Sequence, residues 1–317
     1  MPTRNYSIVV PVYNEAESLN ELHSQIVEAL PSEGDHEVLY IDDGSDDGSA
    51  TFLKELADTD ARVKVLVFFS NYGKAAALSA GFAASRGDII ATLDSDLQDN
   101  PLEIPAMVAL LEEGWDMVSG WKKVRHDPIS KRWPSKLFNL VARLMTGVKI
   151  HDFNCGLKVY RTEVAKSLDI YGGLHRYIPA MAKYRGFRVT EKVVEHRARK
   201  YGKSKYGITR YFHGLLDLFT ILFLGRYFQR PLHFFGLLGL TFGLTGFGIS
   251  AYLAVNWFQG VWIGSRPLLF LGMLLIIVGI QFFSLGLMAE MFVQRRHKEV
   301  RMVRSIYTQS GETTPAL

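Results

Sequence analysis

Two stretches of this 317-residue chain constrain everything else: from Leu232 to Val255, and again from Pro267 to Ala289, there is no Asp, Glu, Lys or Arg. At ~1.5 Å of rise per residue, ~20 helical residues cross a hydrocarbon layer of ~30 Å, and each stretch is long enough to do so. Charge-free runs of this length are rare in the core helices of water-soluble domains, so both are expected to span a membrane. The connection between them, Asn256 to Arg266, is short and holds a single cationic residue, which makes the pair a hairpin. Arg226 and Arg230 precede the first span, and Arg295, Arg296, Lys298, Arg301 and Arg304 follow the second. That positive charge predicts that both flanks are cytoplasmic, with Trp257 and Trp262 at the far interface.

Met1 to Asn5 is polar and runs directly into a strand-like segment, so no signal peptide is expected and the chain up to Arg230 is expected to stay cytosolic. The one cysteine, Cys155, reads as a small packed residue, not half of a disulfide. The formal net charge of +4 does not indicate nucleic acid, because the basic residues gather around the spans and near Lys200, where anionic lipid is the simpler partner.

Before the spans, short runs rich in Val and Ile alternate with helix-period stretches. Ser7 to Val12, Glu37 to Ile41, Val63 to Phe69, Ile89 to Leu93 and Met117 to Ser119 are predicted strands. Ala16 to Leu30, Gly48 to Ala57, Ala75 to Ser85 and Pro101 to Glu113 are predicted helices, the last opening on a proline and closing at Gly114. Strict alternation implies an α/β domain with a mostly parallel, Rossmann-like sheet, whose ligand site lies beyond the carboxyl ends of its strands. After Gly120 the pattern loosens through a basic loop and one helix from Ser130 to Met145. The division expected is a domain over 1–205, an amphipathic juxtamembrane helix over 206–230, two spans within 231–290, and a basic cytosolic tail over 291–317 that is unstructured after Ser305.

The residues that directly follow the strands carry the chemistry. Asp94-Ser95-Asp96 places two carboxylates on one turn, an arrangement suited to a hard divalent ion, and Gln98 can add an amide oxygen or hold a water. The competing reading is that Asp99 or Asn100 caps the helix at Pro101 and the other acids are solvated. The acidic run from Asp42 to Gly48 fails as a calcium loop: counted from Asp43, the twelfth position is Lys54, not Glu. With neither a G-x-G-x-x-G nor a Walker lysine motif, a nucleotide would be held by other means, and Pro11, Tyr13, Glu15, Asp42 and Asp43 are the candidates.

Val10-Pro11-Val12-Tyr13-Asn14-Glu15, Ile41-Asp42-Asp43-Gly44-Ser45 and Asp94-Ser95-Asp96-Leu97-Gln98 resemble, in order, the motifs of glycosyltransferase family 2 with its GT-A fold. Asp152-Phe153-Asn154-Cys155-Gly156 leading to Tyr160-Arg161, and Arg199 through Lys205, resemble the branch of dolichol-phosphate mannose synthases and bacterial polyisoprenyl-phosphate glycosyltransferases. The two terminal spans are similar to those of the bactoprenol glucosyltransferase type. The resemblance implies an inverting, metal-dependent hexosyltransferase of the bacterial inner membrane with its catalytic domain in the cytoplasm. It would move glucose from UDP-glucose to a polyprenyl phosphate such as undecaprenyl phosphate, and it would form a homo-oligomer through the membrane region. Pro11, Tyr13, Glu15, Asp42, Asp43 and Ser95 would contact the nucleotide sugar, and Asp94, Asp96 and Gln98 would bind Mg2+ or Mn2+. Arg199 and Lys205 would hold the donor diphosphate, Arg132, Ser135 and Lys136 the acceptor phosphate, and Asp96 and Asp152 would belong to the catalytic site. Lys136 stands where the mannose synthases tend to carry Arg, which replaces a bidentate phosphate grip with a point charge.

Two other functions fit parts of the pattern. A processive polysaccharide synthase would carry Q-x-x-R-W, but Ile129 stands where the Gln before Arg132-Trp133 is needed, and two spans do not enclose a polymer channel. A non-catalytic membrane scaffold with a transferase-like domain would have no need of intact acidic motifs.

Overall fold

A computed structural model describes residues 5–31, 36–124, 129–198, 200–201, 218, 220, 223, 231–264, 266–296, 306–308 and 311–313, with backbone alone at 129–137, 293–296, 306–308 and 311–313. The chain divides into two compact units, Met1–Leu222 and Phe223–Leu317.

The first unit is built on a seven-stranded sheet of order β3-β2-β1-β4-β6-β5-β7. Its strands are β1 (Tyr6–Val12), β2 (Glu37–Asp42), β3 (Val63–Val67), β4 (Ile89–Thr92), β5 (Met117–Trp121), β6 (Lys158–Arg161) and β7 (Val189–Val193). The first four run parallel, with Ser7 beside Glu37 and Tyr6 beside Ile89, and β7 runs parallel to β5. β6 is antiparallel to both its neighbours, pairing Lys158 with Thr92 on one side and with Ser119 on the other. The mostly parallel α/β expectation holds, and the first five strands fall within two residues of their expected ends.

Helices cover both faces. α1 (Ala16–Ala29), α2 (Ser49–Thr59) and α4 (Ile104–Glu112) pack Leu19, Leu22, Ile26, Leu53 and Met107 against Ile8, Val10 and Tyr40. On the opposite face α3 (Lys74–Ala84), α5 (Ile129–Thr146), α6 (Thr162–Ser167) and α7 (Ile178–Tyr184) enclose Val9, Leu39, Ile90 and Tyr160. Because β1, β2 and β4 are buried on both faces, they read as continuous apolar runs with no alternation, as interior parallel strands do. Expected helix Pro101–Glu113 begins as a 3-10 turn over Pro101–Glu103, which Asn100 caps by accepting from the Leu102 N–H at 3.2 Å. Expected segment 206–230 lies outside the described residues except at 218, 220 and 223.

In the second unit α8 (Pro231–Phe258) and α9 (Pro267–Arg296) are long and apolar enough to cross a membrane over Pro231–Phe258 and Pro267–Phe292. They are not core helices: Leu237 and Phe247 on one, and Phe270 and Phe292 on the other, are each about two-thirds exposed or more. Within the pair, glycines set the contact. A Cβ on Gly246 would stand 2.6 Å from the Gly272 carbonyl oxygen, and one on Gly279 would stand 2.6 Å from the Gly243 nitrogen. Small residues of this kind let two helix backbones approach where lipid removes any hydrophobic drive to associate. Glu290 of α9 accepts from the Leu232 N–H at 3.2 Å, satisfying one of the unpaired amides at the start of α8. The tail differs from expectation: Ile306–Thr308 (β8) and Gly311–Thr313 (β9) pair as a two-stranded antiparallel ribbon, an element that is marginally stable by itself.

Gly279→Leu should therefore force the helices apart and cost about 1–3 kcal/mol, the usual price of overpacking. Measured by titration with a denaturing detergent, it should unfold earlier than wild type, while Gly248→Leu, where a Cβ meets nothing within 4 Å, should not.

Candidate active site

The ends of β1, β2 and β4 and the start of the reversed strand β6 meet along one edge of the sheet. The loops there are bonded to one another. Asn14, at φ 53°, receives the Asp46 N–H on Oδ1 at 2.9 Å and donates through Nδ2 to Asp46 at 2.6 Å. The Glu15 N–H donates to Ser49 Oγ at 3.1 Å. Pro11 is half-buried near the end of β1, and Tyr13 is exposed. Asp42 and Asp43 are both buried. Asp43 accepts the Tyr72 and Gly73 N–H groups at 2.7 and 2.9 Å, which fixes the loop ahead of α3. Burial pushes the Asp43 carboxyl up, in spite of those two amides. Asp42 accepts from the Ser45 N–H at 3.4 Å.

The acidic turn follows β4. Its backbone is tied to α1 by Ser18, whose hydroxyl donates to the Ser95 carbonyl at 2.6 Å. Asp96 accepts the Gln98 N–H at 3.2 Å, and Leu97 between them holds φ 60°, a region disfavoured for a residue with a side chain. Underneath lies Gly156: a Cβ there would stand 2.6 Å from Asp94 Cγ and 2.7 Å from Asp99 Oδ2, so the turn rests directly on the chain entering β6. The segment leaving β7 binds the turn's far side. His196 bridges to Asp99, the Arg197 N–H donates to the Gln98 carbonyl at 3.1 Å, and Asn100 Nδ2 donates to Glu195 at 2.8 Å.

Charge around the turn is balanced by lysines that sequence reasoning missed. Lys74, the first residue of α3, donates to Asp94 Oδ1. Lys122, just past β5, lies 2.7 Å from Asp99, whose side chain is fully buried. Lys158, at the start of β6, is buried and donates to the Cys155 carbonyl. Desolvation alone would raise the Asp94 carboxyl, but Lys74, then Lys122 and Lys158, hold it well below the usual carboxylate range. Burial alone would lower Lys122, and Asp99 instead holds it well above its ordinary value, whereas burial wins at Lys158 and lowers it. Cys155 is packed as expected, its thiol pushed up to about 12 by burial. Lys122 directly follows β5 and obeys the same strand-end rule that singled out Asp94, whereas Lys74 lies well past β3, at the start of α3. Lys158 escapes that rule because β6 is reversed, so the beginning of the strand, not its end, faces the site.

Asp152 is buried beside this cluster, and its Oδ1 accepts the Asn154 N–H at 3.1 Å, shaping its own loop. Arg132, Ser135 and Lys136 lie on α5 within the stretch described by backbone alone. Arg199 and Lys205 lie outside the described residues. A hard divalent cation takes one or two carboxylates and completes its shell with water and phosphate oxygens, and Asp94 and Asp96 on one turn fit that donor set. Among the described residues no third His, Cys, Asp or Glu joins them, and such an ion does not require one.

The chain belongs to glycosyl transferase family 2, whose pattern it matches over residues 7–169. It is 37% identical to the dodecaprenyl-phosphate galacturonate synthase of Rhizobium johnstonii, across 92% of this chain and 89% of that protein. It is also 37% identical to the undecaprenyl-phosphate 4-deoxy-4-formamido-L-arabinose transferase of Shewanella sediminis, across 97% and 93%. Its fold is similar to that of glucosyl-3-phosphoglycerate synthase from Mycobacterium tuberculosis, solved with Mn2+, UDP and glucosyl-3-phosphoglycerate, at a TM-score of 0.55 and 20% identity over 70% of this chain and 80% of that one. The protein is thus a glycosyltransferase with a GT-A fold. The expectation of glucose has no counterpart in the two sequence relatives, whose names carry galacturonate and 4-deoxy-4-formamido-L-arabinose.

Removing one member of a buried ion pair leaves the other uncompensated, so Lys122→Met should destabilise the protein by roughly 3–5 kcal/mol. Lys122→Met combined with Asp99→Asn should recover most of that loss in thermal unfolding. Equal losses in the single and double variants would mean that the pair is not what holds this loop.

Proposed function

We propose that this chain transfers a sugar from a nucleoside diphosphate to the phosphate of a polyprenyl lipid at the cytoplasmic face of the bacterial inner membrane. What carries the reading is the extent of the likeness. It takes in 97% of the chain, the acidic turn and both apolar helices together, against a protein named as an undecaprenyl-phosphate sugar transferase. An acceptor with an isoprenoid tail partitions into the bilayer, so its enzyme must work at that surface, and two apolar helices keep it there. For the sugar we favour a modified one, galacturonate or 4-deoxy-4-formamido-L-arabinose, over glucose, with uridine diphosphate as the working leaving group.

In the reaction a lipid phosphate oxygen forms a bond to the anomeric carbon while the bond from that carbon to the diphosphate breaks, the electron pair leaving on the diphosphate oxygen. One displacement inverts the anomeric configuration. The second pKa of a phosphate monoester is about 6, so the nucleophile is already ionised and needs no strong base. The task is charge control, since two phosphate groups must approach one carbon. Asp94, Asp96 and Gln98 would hold Mg2+ or Mn2+, which supplies positive charge to the departing diphosphate. Arg199 and Lys205 grip that diphosphate, and Arg132, Ser135 and Lys136 grip the acceptor phosphate. Pro11, Tyr13, Glu15, Asp42, Asp43 and Ser95 receive the nucleotide sugar, and Asp152 steadies the buried lysines.

A panel of nucleotide sugars with undecaprenyl phosphate and detergent-purified protein tests the class and the sugar together. Asp96→Asn should lower kcat/KM by ~10²-fold or more while thermal unfolding stays near wild type, and Asp94→Asn should lower it less completely, with some loss of thermal stability because Lys74 loses its partner. Full activity of both variants, or undiminished activity in excess chelator, would rule the metal role out. Arg199→Ala and Lys205→Ala should each lose ~10²-fold even in detergent with a short-chain acceptor. Charges that serve only to bind anionic lipid would show no loss there.

A further inference from the structure

The three lysines around Asp94 are not equivalent. Lys122 is fixed by Asp99 at 2.7 Å, and Lys158 is buried and donates to the Cys155 carbonyl. Lys74 alone keeps appreciable access to solvent, its side chain 23% exposed against 12% for Lys122, and its ammonium is held by the very carboxylate that the proposed function gives to a metal. Its place in the fold is also unusual for a cation. It opens α3 directly after Gly73, where the unpaired amides of a helix start favour negative charge and disfavour positive. The preceding loop is pinned, because Asp43 accepts the Tyr72 and Gly73 N–H groups. A flexible four-carbon stem therefore extends from a fixed base, beside the position where a donor diphosphate would lie.

We propose that Lys74 is the internal counter-cation of the acidic turn. It neutralises Asp94 while no metal is bound, opposes entry of a divalent ion alone, and passes to an oxygen of the donor diphosphate when ion and nucleotide bind together. This rests on the reading that Asp94 and Asp96 hold a metal against the diphosphate. Two cations cannot share Asp94 without repulsion, and the negative charge that relieves it arrives with the nucleotide. Metal and nucleotide are thereby made to bind cooperatively, and the coupling acts equally in both directions. Unproductive occupation of the site by metal alone is suppressed.

The experiment measures free Mn2+ by its electron paramagnetic resonance signal, using full-length protein in detergent, without nucleotide and with UDP, GDP or CDP. In wild type one nucleotide should tighten Mn2+ binding by ~10-fold or more, within the usual range of coupling between sites. Lys74→Gln should bind Mn2+ alone ~5–10-fold more tightly than wild type, and its enhancement by nucleotide should fall to ~2-fold or less. Lys74→Arg should restore most of the coupling. Lys64→Gln, which removes a lysine paired with Glu37 at the opposite end of β3, should behave as wild type and so control for net charge. Weaker Mn2+ binding by Lys74→Gln both with and without nucleotide would reduce Lys74 to a structural support and overturn the proposal, as would unchanged coupling. If wild type binds Mn2+ equally with and without every nucleotide, this inference fails and the metal reading stands; if it binds no Mn2+ under either condition, the metal reading fails first and takes this inference with it.

Discussion

Carboxylates placed at the end of a buried strand need cations beside them, and the ion pairs beneath the Asp94–Asp96 turn are the constraint on which the rest of the site depends. β4 is buried along its whole length, and Asp99, five residues past Asp94, is fully buried as well. An unpaired buried carboxylate would be neutralised or expel its loop. Here the cations come from three separate places, the start of α3, the end of β5 and the start of β6. No single local segment could supply them. The reversed strand β6 is what brings Lys158 and Gly156 to the edge where parallel strands end, with Lys158 level with Thr92 and Ser119.

The same arrangement ties the turn to its surroundings on several sides. Ser18 holds it from α1, Gly156 supports it from below, and residues 195–197 bind its outer side through Gln98, Asp99 and Asn100. Leu97 at positive φ is tolerated because these contacts over-determine the backbone around it. The second unit follows different physics. Between α8 and α9, among the described residues, the seam rests on the close approach that Gly239, Gly246, Gly272 and Gly279 permit, with Phe282 stacked against Phe235 and Phe242 and the Leu232 N–H donated to Glu290. One unit is specified by desolvated charge, the other by the absence of side chains.

Much of this could be read before any coordinates. The alternation of Val- and Ile-rich runs with amphipathic stretches gave five strands and five helices close to their observed limits, and it put Tyr13, Asp43, Asp94 and Asp96 just past strand ends, where the fold has them. Both long apolar helices were evident from missing charge alone. What stayed hidden has a common cause. β6 and β7 are four and five residues long and carry Lys158, Arg161, Glu191 and Lys192, so neither shows the apolar run of an interior parallel strand. Lys74 and Lys122 look like ordinary surface charge in one dimension and acquire their meaning from Asp94 and Asp99, which the fold brings to them from the turn after β4, and Lys158 acquires its meaning from its place on a reversed strand beside that turn. The acidic residues were conspicuous because they cluster in sequence, and the bases that balance them cluster only in space.

The same division bears on which sugar is transferred. Under the proposed function the acidic turn, Arg199, Lys205, Arg132, Ser135 and Lys136 all handle charge: metal, diphosphate and acceptor phosphate. The diphosphate and the acceptor phosphate are common to any sugar carried on a nucleoside diphosphate, so the residues that meet them identify the reaction and not the sugar. Two relatives whose names carry different sugars are each 37% identical to this chain, which is what a common charge framework with separately varied sugar contacts would give. Discrimination by hydrogen bonding requires few residues, because a buried polar group left without its partner hydroxyl or carboxylate can reject an analogue by a factor of ~10⁴. On the proposed reading, the determinants of the sugar therefore belong to a small number of side chains other than the carboxylates of the acidic turn and its lysines, free to change without disturbing the ion pairs that hold the site together.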